Sequence, residues 1–600
     1  QYYIDYLVNQ SSIRQWSLKK LADYGFDAAT GIWAECPGYS SVVVGDYASF
    51  VSLFDENLGM DLTKEIPVLP KAVEAMPQYL FPNRMVCGFG DTHPSTLRTD
   101  IFRYMIQNAR THGKSEEERK FTAMLKLFDP SSSLPVAERG KAPVAITSFF
   151  AGKPLVLDEK VKAGQIDDYV TPTFYAPNVS WLVQRNGMNP RHSLMVSLNG
   201  SEGNHMHANG ISMELYGKGY VLGPDAGIGK TLYQGLDYLE YYSQFPSHNT
   251  VCVDGISSYP VMKSNHSFKL RALYPAAGER LPYQPISYSE VYFREPETFA
   301  DQTRLNGIVN VGDSAGYYID IFRSRKVEGG DKMHDYFYHN LGQQMTLTAA
   351  DGSELGLQPT QELAFAGAHL YAYSYIYNKK RAVTSKDVKA GFTIQMPDKD
   401  DITMNLWMKG EEGREIFSAL SPMTEGLSRI KNMPYSIKDQ PTLTFVARQK
   451  GEAWNRPFVA VYEPSTLKEP SCIASVDYPQ VKSEQQGSHV GIRVALTNGN
   501  VDWILSSDEN AHHCKLEKLQ ARAGYALCRQ SEKGEALQAF LGNGTQLEAD
   551  GVSIRTDVPA DVLLLKQDGK WMYTATAPCR VVVGKKKYTL SVSKELRLLK

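Results

Sequence analysis

Thirteen histidines serve 600 residues, and three of them fall between positions 205 and 248. The densest stretch is Gly203-Asn204-His205-Met206-His207-Ala208-Asn209-Gly210, leading into Ile211-Ser212-Met213-Glu214-Leu215. Gly223-Pro224-Asp225-Ala226-Gly227 and Ser247-His248-Asn249-Thr250 follow. In an extended segment residues two apart point to the same side, so His205 and His207 address one region. A carboxylate and a third imidazole arrive from neighbouring strands. Two imidazoles and one carboxylate suit a tetrahedral zinc ion. Loop histidines bonded to backbone fit the same pattern, and the residues alone leave the two readings level. A second stretch, Gly31-Ile32-Trp33-Ala34-Glu35-Cys36-Pro37-Gly38-Tyr39, sets Tyr39 at a Pro-Gly turn between helical segments, where a side chain is presented to a cleft. In a chain with 35 tyrosines, plain packing competes with that role.

These groups must be positioned by two different kinds of structure. Up to about Pro172 the apolar spacing is helical, over 13–24, 42–58, 67–80, 95–109 (with Ser95 as its cap) and 116–128. From about Thr173 the period falls to two, and short strands with Gly and Asn between them run to the end. Runs of helices followed by runs of strands predict an α+β multidomain chain, a partial helical toroid followed by antiparallel β-sandwich domains. The expected units are 1–172 (helical), 173–437 (β, carrying the His/Asp cluster) and 438–600 (β). Residues 438–442 form the expected hinge, and a further boundary is expected near 511–518. Hydrophobic residues make up 42% and charged residues 22%, which excludes a disordered or coiled-coil chain. A net charge of −2 carries no basic field for nucleic acid, and no apolar run nears the ~20 residues of a membrane span. The seven cysteines lack C-x-x-C spacing and form no recognisable disulfide framework or cysteine zinc site.

Taken in order, the Glu-x-Pro-Gly-Tyr turn at 35–39, Gly90-Asp91, the His-x-His segment, Gly-Pro-Asp-Ala-Gly at 223–227, Ser-His-Asn-Thr at 247–250, the 329–336 stretch and the 451–458 stretch resemble the heparinase II/III-like polysaccharide lyases. The gap of 166 residues between Tyr39 and His205 looks most like the exolytic branch, the fifteenth polysaccharide lyase family, with its heparin and alginate exolyases. The resemblance implies β-elimination on a uronic-acid polysaccharide. It makes His205 the base that takes the C5 proton and Tyr39 the acid that protonates the departing O4, on opposite sides of the sugar. It makes His207, Asp225 and His248 the ligands of a structural zinc. A histidine titrating near neutrality serves as a base, and a phenol donates well to an alkoxide. The preferred substrate on this resemblance is the glycosaminoglycan heparin or heparan sulfate, alginate being the runner-up, and the location is periplasmic or secreted.

The family's carboxylate-neutralising Asn or His is expected upstream of the tyrosine, yet the first 38 residues hold no histidine and only Asn9. With Gln1 opening the chain in place of Met, the expectation is an N-terminal portion outside this sequence. Arg185, His334 and His339 are candidate substrate contacts, the two histidines competing with a sheet hydrogen-bond network. Two other classes stay open. A glycan-binding protein of the same fold would bind without forming product. A glycoside hydrolase would need two carboxyls, for which Glu35 and Glu214 are the nearest pair.

Overall fold

A computed structural model describes residues 2–133, 155–229, 235–257, 263–364, 372–398, 400–424, 426 and 437–600. The helices come first: α1 (Tyr2–Asn9), α2 (Leu18–Gly25), α3 (Pro37–Leu58), α4 (Leu62–Glu65), α5 (Val68–Ala75), α6 (Asp100–Thr111) and α7 (Ser115–Phe128). Their ends follow local chemistry. Ser17 accepts from the Lys20 amide at the start of α2, and Gly59 closes α3 in the left-handed region at φ 61°. Three glutamates in the first turn of α7 face the positive end of its dipole. In α6 the buried set Ile101, Phe102, Met105, Ile106 and Ala109 makes one face, packed between α3 and α7. Two expected starts move. The helix expected from 42 begins at Pro37, because a proline at N1 presets helical φ and its missing N–H costs nothing there. The helix expected from Ser95 begins at Asp100. Ser95 instead accepts from the Val86 amide and Thr96 bridges Met85, which holds this stretch extended.

From Thr173 onward the regular structure is antiparallel sheet, interrupted by short helical turns such as Tyr238–Tyr242 and Phe245–Ser247. A five-stranded sheet (Thr173–Ala176, Trp181–Arg185, Met195–Asn199, Ser212–Gly217, Tyr220–Gly223) lies against the helices. Its two faces alternate as a strand must. Trp181, Val183, Met195 and Tyr216 pack with the helical core, and Leu182, Val196, Leu198, Met213 and Leu215 pack with the β core behind. All are nearly solvent-free, each contributing ~1.5–3 kcal/mol by burial. Behind it an eight-stranded and a six-stranded sheet enclose the main core. A twelve-stranded sheet, Ile473–Asp477 through Ser593–Leu598, completes the chain. The α+β class, helices followed by antiparallel layers, is the one observed.

The expected division at 437/438 does not stand. Thr442–Lys450 lies inside the six-stranded sheet, between Arg414–Ser421 and Met333–Asn340. Ala453–Thr466 lies inside the eight-stranded sheet, between Ile402–Met408 and Gly316–Lys326. The central β unit therefore runs to about 466, and the chain passes to the last sheet through 467–472. Turn-forming residues near 438–442 mark a turn, but composition cannot tell a turn that leaves a sheet from one that re-enters it. Residues 511–518 likewise fall inside the last sheet, where His513–Leu516 pairs with Leu519–Gln530. The crossing is pinned by Glu469, which accepts from Lys218 Nζ at 2.8 Å and Arg191 Nε at 3.0 Å. Burial raises that carboxyl, but the two cations outweigh it and hold it at about 2. Among the described residues no helix is long and apolar enough to cross a membrane.

Candidate active site and metal centre

Tyr39 stands in the first turn of α3, not in a turn between helices. The Gly38 amide donates to Thr92 Oγ1 at 3.1 Å, tying the helix start to the loop that carries Asp91. A second tie comes from the β region. Glu35 and Asn204 form a parallel bridge, with Asn204 N donating to Ala34 O at 3.0 Å and Cys36 N to Asn204 O at 3.3 Å. The third is Asp91 N on His205 O, 2.9 Å. Two glycines permit this approach. A Cβ on Gly90 (φ 63°) would stand 2.5 Å from His205 O, and one on Gly203 (φ 98°) 2.7 Å from Ala34 O. Three segments far apart in sequence are thus stitched at backbone level.

The result is contact between the two singled-out rings. Tyr39 and His205 stack with centroids 3.5 Å apart and planes within 5°. Tyr39 is half-buried and the His205 side chain is 19% exposed, so both reach solvent. The spacing is van der Waals contact, so no sugar fits between the rings; this corrects the expectation of groups on opposite sides of it. His205 is also not in a strand. It has φ 57°, the left-handed region, in the loop after Ser201–Asn204.

Asp91 explains how the two histidines nevertheless address one place. Its carboxylate, fully buried, accepts from His205 Nδ1 on one oxygen and His207 Nε2 on the other, both at 2.9 Å. The Tyr238 hydroxyl donates to the same carboxylate at 2.7 Å. Burial, then Asp91, pushes the Tyr238 phenol far above its usual range, so it stays a donor. With Nδ1 carrying the proton toward Asp91, His205 Nε2 keeps its lone pair, the form a base needs. Sequence reading noted Gly90-Asp91 as a motif but gave Asp91 no role, and Tyr238 left no signal beyond a tyrosine-rich run.

His207, Asp225 and His248 are all buried, with their ligand atoms within 4.8 Å of one another. His207 spends Nε2 on Asp91, and His248 donates from Nδ1 to Asp225 Oδ2 at 2.9 Å. That leaves His207 Nδ1 and His248 Nε2 buried with no hydrogen-bond partner. Two orphaned imidazole lone pairs cost ~1–3 kcal/mol each in a site with no ion. Two nitrogens and a carboxylate are the donor set that zinc takes, so the residues fit a zinc ion. Asn249, beside His248, is structural: it donates to Met213 O and accepts from His339 N.

The candidate substrate contacts are not at this cleft. Arg185 is 1% exposed and donates to Gln78 and to Thr171 O, joining sheet to helices, and burial pushes it down to about 10. His334 is sealed between Ser324 Oγ and Asp331. His339 is held by Thr444 Oγ1 and Pro246 O, and burial pushes it down to about 3, so its ring is neutral. None reaches solvent, which corrects all three assignments in favour of a packing role. Glu214 is buried too. Burial and then Asp225 push its carboxyl up to about 8, despite hydrogen bonds from Gly88 N and Ser197 Oγ. With Glu214 closed off from the cleft, Glu35 and Glu214 do not form a hydrolase pair.

Comparison with known proteins gives three results. The model of the endo-acting ulvan lyase second domain matches residues 29–133, the stretch holding Tyr39 and Asp91. A curated endo-acting ulvan lyase of Formosa agariphila is 25% identical over 559 residues, covering 88% of this chain. This chain spans 65% of that relative's length. Among solved structures, a heparinase III aligns with TM-score 0.48 and 13% identity, over 80% of this chain and 59% of that one. The heparan sulfate lyase of Pedobacter heparinus aligns at 0.43 and 12%, over 80% and 59%. The chain is therefore similar in sequence to an endo-acting ulvan lyase along most of its length.

Proposed function

We propose that this protein is a polysaccharide lyase that cleaves an acidic, uronate-bearing polysaccharide by β-elimination, with His205 as base and Tyr39 as acid. The observation that carries the reading is the solvent-reaching Tyr39–His205 pair, buttressed by the buried Asp91 carboxylate. His205 Nε2 takes the C5 proton, and the Tyr39 hydroxyl gives its proton to O4 as the bond to O4 breaks. The product carries a C4–C5 double bond conjugated to the carboxylate, and no water is consumed. Because the rings leave no gap, the sugar meets both from one side. That arrangement suits a uronate whose C5 proton and O4 lie on the same face, as in glucuronate.

The zinc assignment belongs to the same reading: His207, Asp225 and His248 would hold a structural ion, which would supply rigidity behind the loop carrying His205. For the substrate, the likeness to an endo-acting ulvan lyase draws the proposal from heparin and exolytic action toward ulvan and internal cleavage. The site of action would be outside the cytoplasm, where such polymers are met. The test incubates the full-length protein with ulvan, heparin, heparan sulfate and alginate and follows ultraviolet absorbance, sizing the products. A rise on ulvan with long early products supports the reading. No rise on any polymer overturns it, and binding that survives Tyr39→Phe without product would make it a glycan-binding protein.

A further inference from the structure

A second cluster lies in the last sheet, outside the site described above. His489 opens strand His489–Leu496, and its partner Ser507 closes strand Val501–Ser507. Asp508 follows directly, and His512 stands in the turn before His513–Leu516. The turn is built by Ser488 N on Asp508 Oδ1 (3.0 Å), Asp508 N on Ser488 O (3.1 Å) and His512 N on Glu509 O (3.1 Å). Ligand atoms of His489, Asp508 and His512 all lie within 4.8 Å of one another, and all three residues are half-buried.

The nitrogen spacing is informative. His489 Nε2 and His512 Nδ1 are 3.2 Å apart with the rings at 67°. Two nitrogens each ~2.0–2.1 Å from a tetrahedral ion stand ~3.3 Å apart. Gly487 keeps the space clear: a Cβ there would lie 2.8 Å from Asp508 Oδ1 and 3.0 Å from His512 Nδ1. The facing charges are mixed. Arg323, buried beside the cluster, donates to Ser488 and Ser506, and Glu290 opposes it from the next strand but one of the same sheet. The Ser488 amide and the Trp454 indole hold the Asp508 carboxylate within 4.8 Å of both ring nitrogens, so the histidine pair and the carboxylate face one place.

We propose that His489, Asp508 and His512 form a second divalent-metal site, for a first-row transition ion of the zinc type, with the fourth position open to water. Two nitrogens and one oxygen select such ions over calcium or magnesium. The second carboxylate oxygen of Asp508 accepts from Trp454 Nε1 at 2.8 Å. Trp454 belongs to strand Ala453–Thr466, so the ion would brace the last sheet against the central one.

The test strips the full chain with a chelator and dialyses it against zinc or calcium, counting bound ions per chain and following the melting temperature. Wild type should bind one zinc more than His512→Ala or His489→Gln, whose affinity for that ion falls ~100-fold or more. Gly487→Ala should lose the same ion with all ligands present. Zinc should raise the wild-type melting temperature by more than that of the variants, and calcium should not. Equal zinc counts and affinities in wild type and in every variant that folds overturn the site. A loss of stability in the variants that zinc does not affect reduces the pair to a hydrogen bond and also overturns it. Polysaccharide cleavage plays no part in the readout, so failure of the lyase reading leaves this result standing.

Discussion

Replacing Asp91 by Asn is the sharpest probe of the site. The wild-type carboxylate lies 2.9 Å from His205 Nδ1, which favours the neutral tautomer with its proton on Nδ1 and its lone pair on Nε2. The same carboxylate holds Tyr238 and His207 as donors through its other oxygen. An amide in its place keeps one acceptor, which those two donors claim, and turns a donor toward His205 Nδ1. The ring then prefers the opposite tautomer, with its proton on Nε2 where the base must act. A hydrogen bond to a charged group contributes ~1.5–3 kcal/mol. Losing that preference and acquiring the reverse one shifts the tautomer balance by ~3–6 kcal/mol. Since 1.36 kcal/mol is tenfold, kcat should fall ~10²–10⁴-fold while KM changes little. The assay is initial-rate ultraviolet absorbance on ulvan, with metal content and melting temperature measured on the same preparation. A folded, metal-replete Asp91→Asn protein with kcat within threefold of wild type would refute the orienting role. The assignment of His205 as base would go with it.

Tyr39→Phe preserves the stack on His205 but removes the acid, so kcat should drop ~10²–10⁴-fold with an unchanged melting temperature; a parallel loss of stability would instead mark a packing tyrosine. At the His207–Asp225–His248 site, a zinc concentration one hundredfold above Kd should stabilise the protein by ~2.7 kcal/mol, read as a rise in melting temperature in the His512→Ala background and absent when His248→Ala is added to that background. Asp61 gives a pH test. Burial raises its carboxyl, but Lys114, Thr63 and Asn108 outweigh this and hold it at about 2, against an ordinary 3.8. The folded value is the lower one, so Asp61 stabilises the fold above pH ~4, by about 2 kcal/mol, and that contribution fades as the pH falls toward 2. Asp61→Asn should flatten the stability curve in that window, and parallel curves from denaturant titrations would count against it. Gly90→Ala forces a Cβ onto His205 O and should destabilise the protein by ~1–3 kcal/mol and displace the base, seen as joint loss of melting temperature and kcat.

The change of period near 173 was legible because helical and strand spacing are local properties, and the first strand of the sheets is Thr173–Ala176. Tyr39 and His205 were singled out from motif order, and the structure sets their rings together. What sequence could not carry was long-range. Arg185, His334 and His339 have the side chains of a sugar-binding wall, but burial against Gln78, Ser324 and Pro246 is decided by partners 10 to 107 positions away. The domain end was misjudged because Thr442–Lys450 and Ala453–Thr466 pair with strands formed much earlier in the chain. Asp91 was unreadable as an orienting group because one aspartate after a glycine says nothing of which histidines it will meet.

The parallel bridge between Glu35 and Asn204 has a kinetic side. Tyr39 and His205 belong to separately patterned stretches of chain, and the backbone rungs at Asn204, with that from Asp91 N to His205 O, bring them into register. Neither half holds both proposed groups. During synthesis the helical layer can condense while the loop bearing His205 is still unmade, so competence should appear only once the first sheet has docked. Activity would then serve as a clock for that late event, and a pulse of refolding enzyme should regain its near-native far-ultraviolet spectrum before it regains turnover.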